Sequence, residues 1–163
     1  MKAGFDIKLA RPEDAREVAS VLAESFAEYE PLYTAEGFAA TMPTAGVIEK
    51  RLEEGATWVA VSEGQVVGTV SVVPEKESLY IRSMAVLPAA RGAGIGEQLL
   101  TEIESYAAAR GYRRLFLSTT PFLHRAIRLY EKFGFEPGDE PPRDLYGTPL
   151  LTMSKNLSGP GEK

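Results

Sequence analysis

The first part of the chain changes from a strand-like to a helix-like spacing of its apolar residues. Apolar and charged residues alternate over 5–9, which predicts a short strand with one buried face. Pro12 and the two acidic residues after it are typical of a helix start. The apolar stripe of that helix consists of Ala15, Val18, Ala19, Leu22 and Phe26. Shorter helices are expected over 38–42 and 47–54, and Gly55 is expected to close the second one as a C-terminal cap.

The middle of the chain has the pattern of consecutive antiparallel strands. Two runs rich in β-branched residues, 57–61 and 65–73, are separated by Ser-Glu-Gly at 62–64, which is a hairpin signal. A third run, 79–86, follows a polar turn and stops before Pro88. These residues therefore predict three strands that are neighbours in one sheet.

In the last part of the chain, helices alternate with strands. A helix capped by Gly111 is predicted from apolar residues at steps of four, four and three, namely Ile95, Leu99, Ile103 and Tyr106. A strand follows at 115–117. The next helix is expected to start at an N-cap, Thr120, with proline in its first position, and to end at Gly134. A last strand is expected over 150–154.

The order of these elements predicts an α+β fold. Strands that follow one another pair in antiparallel fashion, whereas a strand, a helix and a further strand give a parallel crossover. We therefore expect a central mixed, mostly antiparallel sheet flanked by helices. Residues 1–157 are predicted to form a single domain, and the Gly- and Pro-containing residues 158–163 a flexible C-terminal tail.

Composition and charge exclude several kinds of chemistry. Without cysteine there is no disulfide framework or thiolate metal cage, and His124 alone does not make a metal site, so no metal is expected. The net charge of −5 and scattered basic residues argue against nucleic acid as a partner. No apolar run approaches the ~20 residues of a membrane span. Because Met1–Asp6 lacks the pattern of a secretory signal, we expect a cytoplasmic protein that does not associate with membranes.

A glycine-rich segment, Arg91–Gly96, lies between the third strand of the meander and the helix that follows it. Unpaired N–H groups at a helix start attract phosphate, and glycines let a pyrophosphate approach the backbone. A nucleotide P-loop would need Lys and Ser or Thr after Gly96, where the chain has Glu97 and Gln98. A dinucleotide-binding fingerprint would need Gly or Ala at Glu97 or Leu99. Both readings fail.

The remaining pattern, Arg-x-x-Gly-x-Gly, resembles the pyrophosphate loop of the GNAT acetyltransferase family. Arg91, Gly94 and Gly96 supply it. The preceding segment, Ser83–Pro88, is similar to the fourth strand of that family, and Ala126–Phe135 is similar to its second signature. The resemblance extends over about residues 5–155.

This resemblance implies a GNAT fold, in which the fourth and fifth strands splay apart around acetyl-CoA as the cosubstrate. It assigns the pantetheine arm to Met84, Ala85 and Val86. It assigns the pyrophosphate to the loop residues Arg91, Gly92, Ala93, Gly94, Ile95 and Gly96. It also implies that Tyr130 protonates the departing thiolate.

Two departures from the family pattern concern the coenzyme and the base. Many members carry Asn seven residues before the helix Tyr, where this chain has Leu123. Members that use a carboxylate base often draw it from the fourth strand, but Leu79–Ser83 contains no acid. Water or an acid from another element would then have to accept the proton of the amine.

Two segments could shape the acceptor pocket. Glu24, Glu28, Tyr29, Glu30 and Tyr33 form an acidic and aromatic cluster that could hold a cationic amine, although a solvated helix end is the interpretation that the sequence favours. The segment Asp139–Pro149 is predicted to be a long loop beside the acceptor.

The sequence leaves two functions open. One is an enzyme that acetylates a small-molecule or peptide amine, which includes amino acids and protein amino groups. The other is a non-catalytic acyl-CoA-binding sensor or structural module. The presence of Tyr130 favours the enzyme. A homodimer is compatible with either function.

Overall fold

The computed structural model of the chain describes residues 4–138 and 143–157. Its strands are β1 (Asp6–Leu9), β2 (Thr57–Ser62), β3 (Gln65–Glu75), β4 (Ser78–Val86), β5 (Arg114–Thr119), β6 (Glu136–Pro137), β7 (Arg143–Leu145) and β8 (Thr148–Asn156). Its helices are α1 (Ala15–Phe26), α2 (Ala35–Ala40), α3 (Ala45–Arg51), α4 (Ile95–Ala109) and α5 (His124–Lys132). Short 3₁₀ turns precede α1, follow it and precede the glycine loop. None of the helices in these ranges is long and apolar enough to cross a membrane.

A single sheet organises the molecule in the order β1-β2-β3-β4-β5-β8-β6, with β7 paired to β8. All neighbouring strands are antiparallel except β4 and β5, which are parallel and joined through α4. The predicted α+β fold with a mixed, mostly antiparallel sheet is therefore confirmed. The division into a domain at 1–157 and a tail at 158–163 stays a prediction, and 158–163 lies outside the described residues.

Apolar side chains cover both faces of the sheet. On one face α4 buries Leu99 and Ile103 against Leu79 and Ile81 of β4. On the other face α1 and α3 pack against β2 and β3, with Leu22 completely enclosed. Helices on both faces hold the middle of the sheet away from water, so its ends are the places where a ligand can approach.

The C-terminal part differs from the sequence prediction. Helix α5 begins at His124, not near Thr120, because the Thr120 carbonyl accepts the N–H of Leu123 in a turn. The predicted loop Asp139–Pro149 is instead a hairpin in its described part, and β8 starts at Thr148 rather than at 150. Residues 139–142 lie outside the described part. The sequence also missed β6, since a two-residue strand leaves no detectable period.

Gly55 has a different role from the C-terminal cap that the sequence predicted. It is absent from the residues with positive φ, and α3 ends at Arg51 with Leu52 as its cap. A Cβ on Gly55 would collide with the carbonyl of Val72 on β3 and would lie 3.3 Å from Pro74 Cδ. Gly55 therefore lets the segment after α3 approach the sheet.

The first prediction compares Gly55→Ala with Gly46→Ala. The new methyl at Gly55 meets rigid backbone, so we expect the free energy of unfolding to fall by about 3 kcal/mol, at the upper end for overpacking. At Gly46, in α3, the nearest atom to a new Cβ is 3.8 Å away, and we expect a change below about 1 kcal/mol. Urea denaturation measures both values. Equal stability of the two variants would contradict the close packing of Gly55.

Candidate active site

The cleft of this protein forms where β4 and β5 stop pairing. Their parallel ladder runs from Ser78 and Arg114 to Ile81 and Leu117 and goes no further. Beyond that point the two strands diverge, as the resemblance implied. They enclose an opening of about 720 Å³. The edge of β4 that faces this opening has backbone groups without a strand partner, which can pair with an extended ligand.

A bulge in β4 shapes one wall of the cleft. The pairing with β3 shifts between Ser71↔Arg82 and Thr69↔Ala85. Within this irregular stretch Ser83 has a φ of 56°, which is unusual for a residue other than glycine. Its Oγ accepts a hydrogen bond of 2.8 Å from Nη1 of Arg51. The bulge thus turns the strand and is tied to the end of α3.

The glycine loop forms the N-terminal end of α4. Gly92 and Gly94 have φ values of 89° and 86°, and a Cβ at either would meet no atom within 4 Å. Gly94 is the N-cap, and its carbonyl accepts the N–H of Gln98. The N–H groups of the first turn have no acceptor inside the helix, so they remain available to an anion at the cleft.

Gly96 has a packing role as well. A Cβ there would lie 2.8 Å from Cδ2 of Leu129 on α5 and 3.5 Å from Cε of Met84 on β4. The absence of a side chain lets α4, α5 and β4 come together behind the loop. The sequence signature therefore combines two requirements, an open backbone at Gly94 and close helix packing at Gly96.

Arg91 lines the cleft but is engaged within the protein. Its Nη1 lies 2.8 Å from Oε1 of Glu28, and its Nη2 donates to the carbonyl of Ser25 at 3.3 Å. The side chain is 17% exposed. These contacts hold the guanidinium at the end of α1, beside the glycine loop. To contact a phosphate, Arg91 would have to give up at least one of its contacts with Glu28 and Ser25.

Tyr130 lies on α5 and reaches the cleft from the core. It is 7% exposed, and its ring centroid is 5.9 Å from that of Phe135. Burial raises the pKa of the Tyr130 phenol above its ordinary value of 10.0, because the charged form would lose its hydration. The phenol is therefore neutral at physiological pH and holds a proton that it can donate.

The structure brings most of the residues singled out from the sequence to one opening. The cleft is lined by Met84, Ala85, Val86, Arg91, Gly92, Gly94, Ile95, Gly96 and Tyr130, whereas Ala93 does not line it. Leu123, which replaces the Asn common in the family, also lines the cleft. Their assignment to coenzyme and catalysis stays a prediction. Within 4–138 and 143–157, no cluster of His, Cys, Asp and Glu could hold a metal.

The carboxylates of the acidic and aromatic cluster do not line the cleft. Glu28 is paired with Arg91, and Glu24 accepts a hydrogen bond from Ser20 at 3.3 Å. Of the five residues in that cluster, only Tyr29 and Tyr33 line the opening. These contacts agree with the solvated helix end that the sequence favoured, because the carboxylate of Glu28 is engaged by Arg91 beside the glycine loop.

Cleft residues that sequence reasoning missed are mostly hydroxyls and cations. Ser25 and Thr119 are buried, and their hydroxyls have no hydrogen-bond partner within the described residues. In the described part of the cleft wall Glu97 is the single acid, against six cations: Arg51, Arg82, Arg91, Arg125, Arg128 and Lys132. Apart from Arg91, which the glycine-loop pattern had singled out, the sequence offered no signal for these side chains, because they come from separate elements: α1, α3, β4, α4, β5 and α5.

The sequence and the fold were compared with known proteins. The family model described as "Acetyltransferase (GNAT) family" matches residues 18–135. The uncharacterized N-acetyltransferase YjgM of Escherichia coli is 33% identical over 130 residues, which cover 76% of this chain and 77% of that protein. N-acetyltransferase family 8 member 2 of Rattus norvegicus is 36% identical over 88 residues, but the aligned part spans only 39% of its length.

Solved structures agree on the fold. The PaiA N-acetyltransferase of Thermoplasma acidophilum, solved in complex with coenzyme A, superposes with a TM-score of 0.82. The match covers 96% of this chain and 100% of that one, at 17% sequence identity. At this identity the similarity concerns the fold alone. It confirms the splayed sheet as the architecture shared by the two proteins.

The second prediction tests the strained conformation of Ser83. Ser83→Gly and Ser83→Ala both lose the hydrogen bond to Arg51, but only alanine retains the penalty of a positive φ. We expect the alanine variant to be about 1 kcal/mol less stable than the glycine variant in urea denaturation. Ser154 on β8 has an ordinary φ and is the control, where glycine should be the less stable of the two. If the alanine and glycine variants had the same order of stability at Ser83 and at Ser154, the backbone of Ser83 would not be strained.

Proposed function

The chain belongs to the acetyltransferase (GNAT) family, and on that premise we propose that it transfers an acetyl group from acetyl-CoA to a primary amine in a ternary complex. Membership makes it an acetyl-CoA-dependent N-acetyltransferase, as the sequence predicted. The observation that carries the proposal is the parting of β4 and β5 beside the N-terminus of α4. It supplies an extended backbone edge and an anion-binding helix end in one opening.

The cleft residues suit the parts of acetyl-CoA. The edge of β4 at Met84–Val86 suits the amide groups of the pantetheine arm, because these can extend the sheet like an added strand. The pyrophosphate suits the N–H groups around Gly94, where the helix dipole favours negative charge. Arg128 of α5 adds positive charge at the cleft, whereas Lys132 of the same helix lies 3.4 Å from Oε2 of Glu97 and is partly neutralised.

The reaction requires a neutral amine and a proton for sulfur. The amine nitrogen forms a bond to the acetyl carbonyl carbon, and the bond from that carbon to sulfur breaks. The sulfur takes the proton of the Tyr130 hydroxyl, which is protonated at physiological pH. The amine loses its surplus proton to water or to an acid from another element, since no residue of β4 that lines the cleft is a carboxylate.

The test of the proposed function is release of free thiol from acetyl-CoA over a panel of small amines, amino acids and peptides with a free amino terminus. Amine-dependent thiol release, with the acetylated product identified by mass spectrometry, supports transfer. Tight coenzyme binding without release to any acceptor would favour the non-catalytic acyl-CoA-binding module instead. A cytoplasmic location and a homodimer are parts of the proposal that this assay does not address.

The third prediction concerns the coenzyme and Gly94. Any side chain at this position is strained by the φ of 86°, so Gly94→Gln serves as the control for strain and bulk. We expect Gly94→Glu to bind coenzyme A at least ~100-fold more weakly than Gly94→Gln, since it adds a negative charge where the pyrophosphate should lie. Isothermal titration calorimetry measures both affinities. Equal binding by the two variants would place the pyrophosphate elsewhere.

The fourth prediction concerns Tyr130. Replacing it with Phe keeps the ring in the core and removes only the hydroxyl, so folding and coenzyme affinity should survive. Loss of a general acid should lower turnover about 100-fold, measured with a confirmed acceptor and a rate-limiting chemical step. Because burial raises the phenol pKa, the wild-type rate should show no loss of this acid below pH 10. Full turnover by the Phe variant would make Tyr130 a packing residue.

A further inference from the structure

A half-buried arginine in the cleft forms no ion pair within 4 Å among the residues that the structure describes. Arg51 is the last residue of α3, and its Nη1 donates to the neutral hydroxyl of Ser83. It forms no ion pair with any residue in 4–138 or 143–157. An arginine that is partly removed from water usually pairs with a carboxylate or a phosphate. Its position therefore suits an anion supplied by a ligand.

A second arginine increases the positive charge at the same place. Arg82 on β4 contacts Glu54 through Nη2 at 2.6 Å, while its buried Nε has no hydrogen-bond partner among the described residues. Burial and the neighbouring Arg82 lower the pKa of Arg51, whereas the charge of Glu54 acts in the opposite direction. The hydrogen bond from Arg82 lowers the pKa of Glu54, so that carboxylate is ionised. The three groups together carry one positive charge.

The two arginines lie on the face of the sheet opposite to α4. Leu79 and Ile81 of β4 are packed into the core with α4, so the alternating residues Tyr80 and Arg82 project from the other face. The ring of Tyr80 contacts that of Phe116 on β5 at that face, with centroids 5.0 Å apart and planes tilted by 40°. The coenzyme phosphates are proposed to bind at the N-terminus of α4, so this arginine pair is not part of the phosphate site.

A third guanidinium, that of Arg143, reaches this face from the other side of the cleft. Nη2 of Arg143, on β7, donates to Oγ of Ser118 at 3.0 Å, and Ser118 lines the opening. Ser118 and Phe116 share a face of β5 because they are two residues apart. Cations thus approach the acceptor side of the cleft from α3, β4 and the hairpin.

We propose that Arg51 and Arg82 bind a carboxylate of the acceptor, so that the amine acetylated by this protein is an amino acid. The inference rests on the proposed function. Ser83, which Arg51 contacts, immediately precedes Met84, where the pantetheine arm is proposed to run. An anion held there would be only a few bonds from an amine that reaches the thioester. Planar guanidinium groups bind a carboxylate through paired hydrogen bonds, which also orients the amine.

The experiment compares amino acids with their uncharged carboxamides as acceptors, for example glycine with glycinamide and β-alanine with β-alaninamide. The amide's amine loses its proton more readily, so intrinsic reactivity would favour the amide. We expect kcat/KM to be about 100-fold higher for the preferred acid than for its amide, because the amide offers no negative charge to Arg51 or to the free Nε of Arg82. Equal use of acid and amide would overturn the inference while leaving amine acetylation intact.

Variants separate binding of the carboxylate from a structural role of Arg51. Arg51→Gln should lower kcat/KM for the acid at least ~30-fold and for the amide less than ~3-fold. Ser83→Ala removes the contact between α3 and β4 but keeps the charge, so it should largely retain the preference for the acid. Lys50→Gln, an exposed cation one residue away, is the matched control and should change neither substrate.

The outcomes distinguish the two proposals. A parallel loss for acid and amide in Arg51→Gln would make Arg51 a structural residue and overturn the carboxylate site. If Arg51→Gln does not fold, as judged by circular dichroism and coenzyme A calorimetry, Arg82→Gln is assayed in its place with the same criterion. Absence of thiol release with every amine, despite coenzyme binding, would instead overturn the proposed function and this inference with it.

Discussion

The parallel ladder between β4 and β5 ends after Ile81 and Leu117, and the features of the site depend on where it ends. Backbone N–H and C=O groups need partners, and a strand edge that faces a cleft can receive them from an extended ligand. The bulge at Ser83 keeps the two strands from pairing again, because it twists β4 away from β5. The separation therefore provides both the space and the unpaired backbone that acetyl-CoA requires.

Charge is distributed unevenly over this molecule. The whole chain carries a net charge of −5, but the described wall of the cleft has six cations and one acid. An electrostatic field inside a cleft with low-dielectric walls reflects the nearby charges more than the net charge of the protein. A negatively charged cosubstrate is thus compatible with an acidic protein. The ion pair between Arg91 and Glu28 also shows that a carboxylate close in sequence to the aromatic residues need not face the ligand.

The family and the acceptor depend on different parts of the structure. The glycine loop, β4 and α5 form the proposed acyl-CoA half of the site, and all three lie within the residues that the family model matches. The proposed acceptor half combines α3, the outer face of β4 and β5, and the hairpin of β7 and β8. The acceptor class therefore has to be derived from side chains such as Arg51 and Arg82, which lie 31 positions apart. Membership in the family does not fix them.

The sequence alone determined most of the local elements, and its resemblance to the family predicted the acyl-CoA half of the site. Periodicity placed the strands of the meander and α4, and the spacing of Arg91, Gly94 and Gly96 limited the loop to one family, because these signals act within a few residues. Tyr130 followed from the same resemblance. The start of α5 and the role of Gly55 were misjudged, since turn hydrogen bonds and contact with β3 decide them.

Which charged side chains come into contact was decided only by the tertiary structure. Arg51 gains its position from the packing of α3 on the sheet, and Glu28 is withdrawn from the acceptor by Arg91, which is 63 residues away. The hairpin that replaces the expected loop brings Arg143 to Ser118. A local pattern in the sequence does not predict these side-chain contacts, because they depend on long-range strand pairing and on the face of the strand that each side chain occupies.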